Sequence, residues 1–74
     1  MKKIDMVKKV LSDKLSIDIG NIDDDLSIYT CSNWDSMAHV DIIEALEKEL
    51  GVKVDDLDLI ELTSFKAIVD KFDL

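Results

Sequence analysis

Ser36, His39 and the carboxylates of Asp35 and Asp41 lie within one short stretch, the densest collection of potentially reactive side chains in the sequence. Serine, imidazole and carboxylate are the makings of a nucleophilic triad. The spacing argues against one. Residues three apart on a helix are neighbours, but Ser36 would stand on an ordinary first turn. No strained elbow aims its oxygen there, and no second segment offers an oxyanion hole. A chain of 74 residues also has little with which to exclude water. No residue is assigned a catalytic role, and His39 is expected to pack on an apolar helix face.

Metal chemistry fails on ligand count, because one His and one Cys do not make a zinc site. Asp23, Asp24 and Asp25 suggest calcium, yet an EF-hand loop starting at Asp23 would place Ile28 at its glycine position and Trp34 at its terminal glutamate. No metal is expected. Cys31 has no internal disulfide partner and reads as a small packed side chain, which favours a cytoplasmic protein. Met1-Lys2-Lys3 carries the charge of a signal-peptide start, but Asp5, Lys8 and Lys9 interrupt any apolar segment behind it. No apolar run approaches the roughly 18 residues of a membrane span.

Seventeen acidic residues against nine lysines and no arginine give a net charge of −8. Nucleic acid and anionic membrane are thereby excluded as partners, since both are held by cationic groups. A basic protein surface is the natural partner. Residues 1–15 carry five Lys and two Asp, whereas residues 16–65 carry thirteen Asp or Glu and two Lys. The negative charge is gathered around Ser36.

Helices must position these groups. Ile4, Val7, Val10, Leu11 and Leu15 fall within an arc of about 140°, predicting an amphipathic helix over 4–15 with Lys14 snorkelling from the stripe. The long connection 16–34 needs pinning, and Ile17, Ile19, Ile22, Leu26 and Ile28 are expected to supply it. Gly20-Asn21 marks a turn, with Asn21 or Asp23 as the cap of a short helical turn. The best-defined helix runs from Ser36 to Leu50. Its Ile42, Leu46, His39, Leu50 and Ile43 form a packing arc, and Met37, Glu44, Lys48 and Asp41 an outer one, with Val40 and Glu47 at the border near Ser36.

Asp35 is the expected N-cap, and Trp34 with His39 the hydrophobic staple across it. Gly51 ends the helix, and Val52 is expected to fold back on Leu46. A short helix over 55–62 follows, capped by Asp55, with Leu57, Ile60 and in part Leu59 turned inward. Thr63 or Ser64 then caps a last helix whose Phe65, Ile68, Val69 and Phe72 complete the core. The expected fold is all-α, a small bundle of three main helices plus one short helix, in a single domain over residues 1–74 and as a monomer.

Asp35-Ser36-Met37 ahead of an acidic amphipathic helix, the Leu50-Gly51 stop, the short helix, and Leu62-Thr63-Ser64-Phe65 opening the last one resemble the acyl carrier protein superfamily over essentially the whole chain. The resemblance implies that a phosphopantetheinyl transferase attaches 4'-phosphopantetheine from coenzyme A to Ser36. It further implies that the arm's thiol holds acyl or aminoacyl cargo as a thioester. Asp35, Met37, Val40, Asp41, Glu44 and Glu47 would then be the docking face for loading and acyl-transferring enzymes with basic surfaces. Trp34 stands where the fatty-acid branch has a small aliphatic residue, Met37 where it has leucine, and Lys48 interrupts the acidic face. These departures point to a specialised pathway handling amino-acid, polyketide or surface-polysaccharide intermediates. The rival reading is an acidic helical interaction domain that binds a basic partner and is never modified.

Overall fold

Helix α1 (Lys3–Leu15) buries Val7, Val10, Leu11 and Leu15, with Ile4 half-buried beside them and Lys14 exposed. This is the stripe its periodicity predicts. The computed structural model describes residues 2–74, so Met1 of the basic start lies outside the described residues. Ser16 ends α1 in the left-handed conformation (φ 56°), and local bonds hold it there: the Ser16 and Ile17 amides both donate to the Ser12 carbonyl, and Ser12 Oγ donates to Ile17 O at 2.6 Å. Asn33 Nδ2 donates to the Leu15 carbonyl at 2.9 Å, supplying a partner to one of the helix-end acceptors that have none within the helix.

The connection is pinned largely as expected. Ile22 and Leu26 are buried, and Ile17 and Ile28 are half-buried against the core. Ile19 is a correction, at 51% exposed. It opens a 3-10 turn (Ile19–Asn21) in which no residue is buried. Asp18 precedes that turn without a side-chain bond, and Asn21 lies inside it. Asp23 caps the next turn as expected, its carboxylate accepting the Asp25 amide at 3.0 Å and its carbonyl the Leu26 amide at 3.1 Å. A second tie has no signature in the sequence. Ile28 N–H donates to Thr63 O at 2.9 Å and Phe65 N–H to Leu26 O at 3.0 Å, an isolated antiparallel bridge that fastens the connection to the turn between the last two helices.

Helix α2 (Ser36–Leu50) buries His39, Ile42, Ile43 and Leu46 and packs chiefly on α1. Asp35 caps it, its carboxylate accepting the Ala38 amide at 2.8 Å. Gly51 closes it with φ 66°, a conformation that favours glycine, and the Gly51 and Val52 amides both donate to Glu47 O. Val54 is the residue that packs against the core after this turn, in place of the expected Val52. A bond from the Val54 amide to Glu47 Oε2 at 2.9 Å directs it there.

Helix α3 (Asp56–Glu61) has Asp55 as its cap, accepting the Asp58 amide at 2.8 Å. Its inward face differs from the expected one, since of Leu57, Ile60 and Leu59 only Leu59 turns in. Leu57 and Ile60 are 74% and 70% exposed, while Leu59 is half-buried and Leu62, just past the helix, is buried. Helix α4 (Phe65–Lys71) is capped by Ser64 and not Thr63, with Ser64 Oγ accepting the Ala67 amide at 3.0 Å. Phe65 and Ile68 complete the core, with Val69 and Phe72 half-buried around them. The architecture is the expected all-α bundle, with α3 its shortest helix.

Candidate functional site

Ser36 is the first residue of α2 and is exposed. A residue at that place has its amide among the helix-end donors that lack an intrahelical acceptor. Of the first-turn amides, Ala38 is taken by the Asp35 carboxylate and His39 by the Asp35 carbonyl at 2.8 Å. Those of Ser36 and Met37 have no protein acceptor among the described residues. A phosphodiester on Ser36 Oγ would therefore lie beside two free N–H groups at the positive end of the helix dipole, an arrangement that suits an anion.

Trp34 and His39 meet as predicted, with ring centroids 6.1 Å apart, but the contact is not the apolar staple expected. Trp34 is 2% exposed, and its Nε1–H donates to His39 Nδ1 at 3.1 Å. The indole nitrogen only donates, so His39 Nδ1 must accept and the ring proton sits on Nε2. That proton is given to the Leu59 carbonyl at 2.6 Å. His39 is thus buried on the packing arc as expected, while working as a polar link from α2 to α3. A signal for this was present in the sequence: a buried tryptophan needs an acceptor, and His39 is the polar side chain at the position where the staple partner belongs.

The other candidate residues divide between exposed groups and groups with local partners. Met37 is 81% and Val40 41% exposed. Asp41 and Glu44 are exposed on the side of α2 that faces α1, where with Asp13 and Lys14 they border an open cleft of about 410 Å³. Glu47 is half-buried, its carboxylate holding the Val54 amide, and Asp35 holds that of Ala38. Leu57 and Ile60 of α3, expected from the sequence to face the core, are exposed apolar groups. They flank Leu59, whose carbonyl is bonded to His39, so they stand on the α3 side of the start of α2. No group of His, Cys, Asp and Glu among the described residues is arranged to hold a metal ion.

The sequence pattern of the phosphopantetheine attachment site family matches residues 5–72. A protein named acyl carrier protein from Thermotoga maritima is 35% identical over 63 residues, covering 85% of this chain and 78% of that one. An acyl carrier protein from Thermosynechococcus vestitus is 31% identical over 67 residues, covering 90% and 83% respectively.

Proposed function

The chain belongs to the phosphopantetheine attachment family, a carrier of 4'-phosphopantetheine and not an enzyme, and we propose that Ser36 bears the group and carries acyl or aminoacyl cargo on it. The observation that supports this most directly is the exposed Ser36 hydroxyl at the start of α2, beside two amides without a protein acceptor. The attached group supplies a thiol on a flexible arm, which the folded chain does not otherwise provide. In the loading step Ser36 Oγ bonds to the phosphorus that bears pantetheine in coenzyme A. The phosphoanhydride bond breaks, adenosine 3',5'-bisphosphate leaves, and the serine proton passes to a base on the transferase.

Docking is assigned to Met37, Val40, Asp41 and Glu44, joined by Leu57 and Ile60 of α3. Asp35 and Glu47 contribute charge while keeping their amide bonds. Apolar groups with an acidic rim suit transferases and acyl-handling enzymes whose own surfaces are basic, because charge complementarity speeds encounter without making release slow. No helix among the described residues is long and apolar enough to cross a membrane. A cytoplasmic monomer working as one domain, with a cargo belonging to a specialised pathway, completes the proposal. The Trp34 and Met37 substitutions at the attachment motif support that choice of pathway.

Intact mass after incubation with coenzyme A and a broad-specificity transferase tests the reading. Wild type should gain one phosphopantetheinyl group and Ser36→Ala none. Failure of wild type to react, under conditions that load a control carrier, would leave an unmodified interaction domain as the better description.

A further inference from the structure

His39 and Trp34 occupy places that carrying a cargo does not by itself require. Leu59 lies in the last turn of α3, where carbonyls lack an intrahelical partner. The amide that would reach it by continuing the helix, that of Thr63, donates to Glu61 O at 2.9 Å instead. His39 therefore serves two groups at once, the indole N–H of Trp34 at 3.1 Å and the carbonyl of Leu59 at 2.6 Å. Helix α3 is otherwise weakly held. None of its residues is fully buried, and its tie to α4 is the ion pair from Lys71 Nζ to Asp58 Oδ2 at 2.9 Å. The link runs from the residue two places before Ser36, through the imidazole, to the backbone between the exposed Leu57 and Ile60. Val40, also exposed, follows His39 directly.

We propose that His39 is a positioning residue for phosphopantetheine transfer: through Trp34 and Leu59 it locks the start of α2 and helix α3 into the one surface that the transferase reads. The inference rests on the carrier reading. His39 makes no hydrogen bond to Ser36, so its effect falls on docking and hence on KM, leaving kcat in place.

Transferase kinetics on wild type, His39→Leu, His39→Gln and Trp34→Phe carry the test, together with nitrogen–proton NMR of each protein. His39→Leu removes both hydrogen bonds and should raise KM by at least about fivefold, the factor that goes with one net hydrogen bond, at unchanged kcat. His39→Gln, whose amide both accepts and donates, should recover most of the loss. Trp34→Phe, which keeps an aromatic ring and lacks the N–H, should raise KM as well. The chain has one tryptophan, so its indole N–H signal reads the link directly. That signal should exchange with solvent faster in His39→Leu, as should the α3 amides, and both should slow again in His39→Gln. Equal KM for wild type and His39→Leu, or a fall in kcat alone, would overturn the proposal. If His39→Leu does not fold, Trp34→Phe decides by the same KM criterion. An unreactive wild type would overturn the carrier reading and this inference together, whereas a loaded wild type with flat KM across the variants overturns this inference only.

Discussion

Asp35 sits next to Ser36 and holds the Ala38 amide at 2.8 Å, so one carboxylate both starts α2 and places negative charge beside the proposed attachment point. That charge opposes a phosphodiester on Ser36, while the free Ser36 and Met37 amides and the dipole, about half an elementary charge at the helix start, favour one. The two jobs of Asp35 can be separated. Asp35→Ala removes the cap and should cost about 1 kcal/mol in urea unfolding. Asp35→Asn keeps an oxygen acceptor and should remain within a few tenths of a kcal/mol of wild type, since Asn caps about as well as Asp. If the charge is read by the transferase, Asp35→Asn should still lower kcat/KM, and by more at low salt than at high salt. Equal kcat/KM at low salt would confine Asp35 to capping.

Helix α3 shows where the sequence stops being decisive. On a wheel of 3.6 residues per turn, Leu57 and Ile60 lie roughly 60° apart, Leu59 and Leu62 lie a similar angle apart, and the two pairs point in nearly opposite directions. Either pair could face inward by periodicity alone. The choice is made by contacts distant in sequence: His39 on the Leu59 carbonyl, Lys71 on Asp58, and the bridge between Ser27 and Ser64. Substituting Leu57 and Ile60 together by Asn should therefore change unfolding free energy by less than about 1 kcal/mol, whereas Leu62→Ala, at a 3% exposed site, should cost about 2 to 4 kcal/mol. The reverse order would restore the inward face expected from the sequence. Helices α1 and α2 were legible because each has several turns and a single apolar stripe, and α2 also has terminal signals in Asp35 and Gly51. The polar nature of the Trp34–His39 contact was less so, because spacing gives proximity and not the proton's place. The ion pair adds a pH test. The hydrogen bond to Asp58, and then its charge, raise the Lys71 pKa above the ordinary 10.5. A lysine raised on folding contributes stability in full below 10.5, and the contribution is lost as pH climbs through the higher folded value. Wild type should thus lose more stability than Asp58→Asn between about pH 9 and the region above the raised Lys71 value, and parallel losses would show that the pair contributes nothing.

At the scale of the whole molecule, charge should act on stability and on the proposed partner binding with opposite signs. The fold measures 27 × 25 × 18 Å and carries a net charge of −8. The Debye length is about 30 Å at 0.01 M salt, long enough for each charge to act on most others in the molecule, and about 8 Å at 0.15 M, where only neighbours interact. One Lys–carboxylate pair lies within 4.0 Å among the described residues, Lys71 with Asp58, so salt weakens few attractive contacts while relieving widespread repulsion. Its dominant effect on the fold should be stabilisation. The same screening should weaken the proposed attraction between the acidic α2 face and a basic partner. Raising salt from about 0.01 to 0.15 M should therefore increase the melting temperature while reducing transferase kcat/KM. Charge reversal of Asp41 or Glu44 to Lys should blunt the kinetic effect, because the steering charge is gone, and keep helicity unchanged, because both side chains are exposed. A melting temperature that stays flat would mean that self-repulsion does not limit stability. Salt-independent kcat/KM in wild type, or equal low-salt turnover of wild type and the reversed variants, would mean that the acidic face is not what the transferase reads.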